Sequence, residues 1–187
     1  MARFLLIHGA AHGAWAWRDV IPALAALGHE ARAIDLPSHG ADPTPVGDVT
    51  LDLYADAILD ALDRPAILVG HSMGGYPISV AAERAPALVQ RLIYLCAYIP
   101  APGLSLAEMR RLGPGQPLVE AIRRNPDGVS MHFDPAMVRD KFYHDCPEDA
   151  VTFARDRLCD QAILPMETPA NLCARYASVR RSYIIFT

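Results

Sequence analysis

Residues 70–74, which read Gly-His-Ser-Met-Gly, carry the clearest chemical signal in the sequence. They match the pattern Gly-x-Ser-x-Gly, and they stand between an apolar run at residues 66–69 and a small-residue segment with helical spacing. Strand, sharp turn and helix in this order are typical of a nucleophile elbow, where glycines make room for a strained backbone and the serine hydroxyl stands above the sheet. The pattern predicts that Ser72 is a nucleophile for acyl transfer, rather than part of a turn that is merely closely packed.

Acyl transfer also needs N–H donors for the oxyanion of the tetrahedral intermediate. One donor is predicted to be the backbone N–H of Met73, directly after the nucleophile, and the other comes from the loop after the first strand. That loop reads His-Gly-Ala-Ala-His-Gly over residues 8–13, and we expect Ala10 to supply the N–H. We interpret His8 and His12 as packing residues bonded to the backbone, because a glycine-rich loop does not present two metal ligands on one face.

Strands and helices alternate through the first half of the sequence. Apolar runs at residues 4–7, 66–69 and 92–95 suit strands that are covered on both faces, and residues 30–35 are predicted to form a further short strand. Apolar residues at helical spacing lie between them, and Thr50 is a plausible N-cap for one of these helices. This alternation predicts an α/β fold with a doubly wound, mostly parallel sheet.

The alternation stops near residue 100 and divides the chain into three segments. Residues 1–99 are predicted to form the N-terminal part of the core. Residues 100–178 are richer in Pro, Arg and Met, and we expect a helical cap insertion without strands, with helices that begin at residues 134–135 and 146–149. Residues 179–187 return to the core as a fifth strand, which would leave the core incomplete.

Composition limits the classes of function. The residues are 52% hydrophobic and 20% charged, which excludes a disordered chain, and the formal net charge of −4 argues against a nucleic-acid surface. No apolar run has the length of a membrane span, and the first residues lack a signal-peptide pattern. The cysteines (Cys96, Cys146, Cys159 and Cys173) form no CxxC pair and are expected to be reduced thiols. We therefore expect a cytoplasmic protein that binds neither nucleic acid nor membrane.

The motifs together resemble the α/β-hydrolase superfamily. The likeness is carried by the pattern HGxxHGxW at residues 8–15, Asp-Leu-Pro at residues 35–37 and GHSMGG at residues 70–75. These are most similar to the branch that holds plant methylesterases, plant hydroxynitrile lyases and their bacterial esterase relatives, and residues 142–146 resemble the cap of the bacterial members. The resemblance covers essentially the whole chain. It implies a serine carboxylesterase that acts on a small-molecule ester and needs no metal or organic cofactor.

Two positions near the nucleophile separate esterases from lyases within this branch. The plant lyases carry threonine where this sequence has Gly9, and Glu-Ser-Cys where it has residues 71–73. Both positions resemble the esterases, so an esterase is favoured, and hydroxynitrile lyase activity is kept as the alternative. We expect the substrate pocket to be lined by Gly9 and His71 and by the aromatic cap residues Phe133, Phe142 and Tyr143. For these aromatic residues, ordinary packing within the cap is an equally good interpretation.

Serine becomes reactive when a histidine takes its proton and a carboxylate orients that histidine. The resemblance implies that the acid follows the fifth strand and that the histidine comes later, beyond Thr187. No other histidine is a good substitute, because His39, His132 and His144 lie in loop or cap segments. We therefore expect a C-terminally truncated chain that holds Ser72 without a complete triad and has impaired activity. A catalytically dead remnant that binds a ligand or a partner is the alternative.

The fifth strand has the features of an aggregation-prone edge. Residues 183–187 are apolar, rich in β-formers and free of proline and charge. An edge strand of this kind pairs readily with another chain. We therefore expect self-association through this strand.

Overall fold

The computed structural model describes residues 1–186 and contains a central parallel sheet, flanking helices and a cap segment. The strands are β1 (Arg3–Ile7), β2 (Glu30–Ile34), β3 (Ala66–His71), β4 (Val89–Leu95), β5 (Ile122–Arg124), β6 (Ser130–Phe133), β7 (Gln161–Ala162) and β8 (Arg181–Ile184). The helices are α1 (Val20–Ala26), α2 (Leu51–Asp60), α3 (Gly75–Arg84), α4 (Leu106–Leu112), α5 (Val138–Phe142), α6 (Glu148–Arg155), α7 (Leu164–Glu167) and α8 (Ala174–Ser178). No helix within this part of the chain has the length and apolar character needed to cross a membrane.

The central sheet has the strand order β2-β1-β3-β4-β8, and all of its neighbouring pairs are parallel. The predicted doubly wound sheet is therefore confirmed. The winding direction reverses between β1 and β3, because the chain moves from β1 to β2 on one side and from β3 to β4 on the other. Open α/β sheets bind ligands in the crevice at the carboxyl ends of the strands that flank such a reversal, which here are β1 and β3.

Side chains of the central strands alternate between two apolar layers, as the pleat of a strand requires. Leu5 and Leu68 are buried in the larger layer, together with Tyr54 of α2. Leu6 and Val69 face the opposite layer. The strands are thus buried on both faces, which explains why they read as continuous apolar runs in the sequence.

Two predicted helix starts have different outcomes. Thr50 caps α2 as predicted, because its side-chain oxygen accepts the N–H of Leu53 at 3.0 Å. The prediction of a helix start at residues 134–135 is wrong, since α5 begins only at Val138. The carboxylate of Asp134 instead accepts the N–H of Ala136 at 3.0 Å and closes a turn before the helix.

The cap contains strands that the sequence analysis did not predict. β5, β6 and β7 form a three-stranded antiparallel sheet within residues 100–178, alongside the predicted helices. The hairpin between β5 and β6 turns at residues 125–128, which read Asn-Pro-Asp-Gly. The Asp127 carboxylate accepts the N–H groups of Val129 and Ser130, each at 3.0 Å. Pro-Asp-Gly is a turn signal that could have revealed the hairpin.

Gln161 of β7 is fully buried and joins the cap to the core. Its Oε1 accepts the N–H of Ala11 at 3.1 Å and lies 3.1 Å from Nε2 of His39. Its Nε2 donates to the Tyr54 hydroxyl at 3.1 Å and to the Ala162 carbonyl at 3.0 Å. One amide therefore satisfies polar groups of the loop after β1, of α2 and of the cap.

We expect Gln161→Leu to lower the free energy of unfolding by about 2–4 kcal/mol, because leucine fills a similar volume and leaves several buried polar groups without partners. Urea denaturation followed by circular dichroism measures this change. Gln90→Leu is the matched control at an exposed position, where the change should stay within about 0.5 kcal/mol. Equal stability of the two variants would contradict the role given to Gln161.

Candidate active site

Ser72 directly follows β3 and has a left-handed backbone with φ of +52°. Residues with a Cβ atom rarely adopt this conformation, and its strain must be held by the surrounding packing. A Cβ atom on Gly70 would lie 2.5 Å from the carbonyl oxygen of Gly74, and one on Gly74 would lie 2.8 Å from the carbonyl oxygen of His8. A short 3₁₀ turn from Ser72 to Gly74 then leads into α3. The strand, turn and helix of the predicted elbow are present.

The loop after β1 lies against this turn. The Cβ position of Gly9 is 3.1 Å from Cβ of Ser72 and 3.1 Å from Nδ1 of His71. Within residues 1–186 the Ala10 N–H has no protein acceptor. Met73 is in the first turn of helical structure, where N–H groups lack an intrahelical acceptor. The two predicted oxyanion donors therefore lie on the two loops that meet at the crevice.

His8 fixes the position of the loop after β1. The ring is fully buried, and its Nε2 accepts the N–H of Leu36 at 3.1 Å. Its Nδ1 must then carry the proton, and it donates to the Gly9 carbonyl at 2.8 Å. Burial, with the His39 ring beside it, holds the pKa of His8 well below its usual range. His8 is thus a neutral ring bonded to the backbone, as expected from the sequence.

His12 has a similar structural role at the other end of the loop. Its Nδ1 donates to the Ala10 carbonyl at 2.8 Å, and its Nε2 accepts the Tyr143 hydroxyl proton at 2.6 Å. Burial lowers the pKa of His12 to about 4. This ring is neutral near pH 7 and connects the loop to the cap.

A cavity opens beside Ser72 between the core and the cap. Its walls are mostly apolar, and they include Gly9 and Met73 from the core and Phe133 and Phe142 from the cap. The sequence analysis had named Gly9 and these two phenylalanines for the pocket. It had missed Arg110, which also lines the cavity and has no motif that would have revealed it.

The structure places the other two predicted pocket residues elsewhere. Tyr143 lines a separate cavity of about 630 Å³ on the other side of His12, together with Trp15 and Phe153. His71 packs against Gly9 and does not line the cavity beside Ser72. Burial lowers the pKa of His71 as well.

Within the described part of the chain, no imidazole or carboxylate hydrogen-bonds the Ser72 hydroxyl. His39 contacts the Pro37 carbonyl at 3.0 Å, His132 contacts Oδ1 of Asn125 at 2.6 Å, and His144 is exposed. Residues 1–186 contain no group of three or more His, Cys, Asp and Glu side chains that could bind a metal ion. The described site therefore offers a serine and amide donors without a general base.

The model of the α/β-hydrolase family matches residues 4–187. The chain belongs to the α/β-hydrolase family. This α/β-hydrolase is 32% identical over 205 residues to esterase PIR7B of Oryza sativa subsp. japonica, covering 97% of this chain and 76% of the relative. It is 30% identical over 201 residues to methyl jasmonate esterase 1 of Vitis vinifera, covering 97% and 77% of the two chains.

Solved structures agree with this family. A pyrethroid hydrolase from Sphingobium faniae JZ-2 superimposes with a TM-score of 0.86 at 28% identity, covering 97% of this chain and 76% of the other. The predicted membership of the α/β-hydrolase family, the predicted similarity to plant esterases and the predicted fold class are confirmed. By family, this α/β-hydrolase is a carboxylic ester hydrolase.

The buried neutral ring of His12 predicts acid-dependent stability. Its pKa in the folded state, about 4, lies below the ordinary histidine value of 6.5, so the stabilisation from the neutral ring is complete above pH 6.5 and is lost as the pH falls towards 4. We expect the free energy of unfolding to fall by roughly 3 kcal/mol over this window because of His12. Urea denaturation across the window should show a shallower pH dependence for His12→Asn, which keeps an amide donor near Ala10.

The exposed His144 provides the control for this prediction. The variant His144→Asn should keep the pH dependence of the parent chain. Parallel pH profiles for His12→Asn and the parent would contradict the assignment of a neutral, buried His12.

Proposed function

We propose that this α/β-hydrolase is a carboxylesterase for a small-molecule ester, with Ser72 as its nucleophile. The proposal rests above all on the left-handed backbone of Ser72, which turns the chain at the carboxyl end of β3 beside the free N–H of Ala10. A cavity opens beside Ser72, and its walls are largely apolar, as is usual for a site that binds a small molecule.

In the proposed reaction, Oγ of Ser72 forms a bond to the ester carbonyl carbon while its proton passes to a base. The N–H groups of Ala10 and Met73 hold the carbonyl oxygen as it becomes an oxyanion. Collapse of the intermediate breaks the bond to the alcohol oxygen, which takes up a proton. Water then attacks the acyl-serine, releases the carboxylic acid and restores the hydroxyl. Phe133 and Phe142 contact the apolar part of the ester.

We also propose that the chain by itself hydrolyses esters slowly. Residues 1–186 bring no imidazole into hydrogen-bond contact with the Ser72 hydroxyl, so solvent hydroxide must take the proton. The same base is missing when water attacks the acyl-serine, so that step is slow as well. An activated ester has a good leaving group, so acylation is less impaired than deacylation and the acylated protein should accumulate with such a substrate.

Incubation of the full chain with p-nitrophenyl butyrate at mildly alkaline pH tests the nucleophile and the impairment together. We expect release of p-nitrophenol with little turnover, because deacylation lacks a base. Intact-protein mass spectrometry should show the gain of one butyryl group, and peptide mapping should place it on Ser72. Ser72→Ala should abolish the labelling, whereas the exposed Ser178→Ala should retain it.

Three other results would contradict parts of this proposal. Rapid turnover that is lost in Ser72→Ala would support the nucleophile and overturn the impairment. The absence of butyryl-Ser72 would favour the alternative of a catalytically dead binding remnant. Cyanide release from mandelonitrile that depends on Ser72 would favour the other alternative, a hydroxynitrile lyase.

A cytoplasmic location is part of the same proposal. It rests on the cysteines, which are all free in the described structure, as is usual for proteins of reducing compartments.

We further propose that the chain self-associates through β8. In the described structure β8 pairs with β4 on one side, and its other edge has no partner strand. The side chains at this end of the chain are apolar and exposed; the exposed fractions are 44% for Ile184, 69% for Ile185 and 73% for Phe186. A second copy would pair its own β8 with this edge and cover these side chains.

Ile184→Lys should shift the chain towards the monomer, because a charge on an edge strand opposes pairing with another strand. Size-exclusion chromatography with light scattering at micromolar concentration measures the oligomeric state. Leu112→Lys changes a similarly exposed apolar residue outside the sheet and should leave the oligomeric state unchanged. A monomeric parent chain would contradict self-association.

A further inference from the structure

Arg110, a positively charged residue, lines the cavity beside Ser72. Among the described residues that line this cavity it is the one that carries a charge near pH 7, since the neighbouring His12 is neutral and the remaining walls are uncharged. No carboxylate lines the cavity to offset that charge.

The guanidinium of Arg110 has no partner in the described part of the protein. No hydrogen bond or ion pair joins it to another residue there, and its Nε is buried without any acceptor. Glu167 lines an adjacent cavity of about 420 Å³ together with Arg110, but its carboxylate pairs with Nη2 of Arg124 at 3.4 Å. A buried donor on a charged group is costly unless an acceptor reaches it. The side chain of Arg110 is only partly buried, but its Nε atom is buried without an acceptor, and this atom points to an acceptor supplied by a ligand.

The structure of α4 explains why Arg110 faces the cavity. The helix starts at a capping box in which Ser105 and Glu108 bond each other's backbone N–H groups. Leu106 and Arg110 are four positions apart, so they share one helix face, and both line the cavity. Arg111 is the next residue along the helix and is exposed to solvent.

We propose that Arg110 selects esters that carry a carboxylate at a distance from the reacting carbonyl group, such as the monoesters of dicarboxylic acids. This inference rests on the proposed esterase function and names its substrate class. The planar guanidinium can donate two parallel hydrogen bonds to a carboxylate, and such pairs are strong in an apolar surrounding. A neutral ester of equal size fills the same space but leaves the charged donors poorly satisfied.

Binding measurements test the proposal without requiring turnover. Monomethyl glutarate and dimethyl glutarate are matched probes, because they share a carbon chain and one methyl ester and differ in a single carboxylate. The full chain with Ser72→Ala serves as the parent, which prevents acylation, and Kd is measured by ligand-observed NMR at neutral pH. We expect the monoester to bind about tenfold more tightly than the diester.

Two variants added to this parent separate Arg110 from a general effect of charge. Arg110→Met keeps most of the side-chain volume and should remove the preference for the monoester, whereas Arg111→Met removes a charge from the exposed face of α4 and should retain it. A preference that survives in Arg110→Met would overturn the proposal, and so would equal binding of the two probes by the parent.

A second measurement does not depend on the folding of Arg110→Met. In the parent, added sodium chloride should weaken binding of the monoester and leave binding of the diester unchanged. Salt-independent binding of the monoester would overturn the ion pair. Because every protein in this experiment lacks the Ser72 hydroxyl, failure of the butyryl-labelling test would not alter its outcome.

Discussion

The left-handed backbone of Ser72 is the constraint on which the candidate site depends. Strain of this kind costs of order 1–3 kcal/mol and persists only where packing enforces it. The elbow packs with almost no free space, since a Cβ atom on Gly75 would lie 2.1 Å from the carbonyl oxygen of Tyr98, and Gly74 meets the carbonyl of His8 with similar closeness. The contacts that hold the strained turn also bring the loop after β1 beside the serine. The proposed nucleophile and its proposed amide donors are thus positioned by one set of contacts.

Buried polar groups determine how the cap sits over this crevice. Gln161 joins the cap to α2 and to the loop after β1, and the Tyr143 hydroxyl reaches Nε2 of His12 from the cap. These contacts are directional, so they fix the cap in one orientation and define the shape of the cavity. Apolar packing alone would leave that orientation less well defined, because it is not directional.

Several histidines lie near Ser72, but within the described part of the chain their contacts give them a structural role. Burial lowers the pKa of His8, His12, His39 and His71, so these rings are kept neutral. The first three are held by backbone carbonyls of the surrounding loops. Both ring nitrogens of these three histidines already contact protein atoms, so neither is free to take a proton from the serine hydroxyl. Proximity of histidine and serine in a sequence is therefore a poor guide to catalysis.

Local sequence patterns were enough to predict the parallel sheet, the strand–turn–helix at Ser72 and Thr50 as the N-cap of α2. These features depend on short-range sterics and on the periodicity of apolar residues, both of which can be read within a few positions. Tertiary structure alone decided that Arg110 lines the cavity and that Tyr143 lies behind His12. Those placements depend on contacts between distant residues: Tyr143 and His12 are 131 positions apart, and Gln161 and Ala11 are 150 apart. No local pattern encodes such pairs, because each forms only after the cap has folded onto the core.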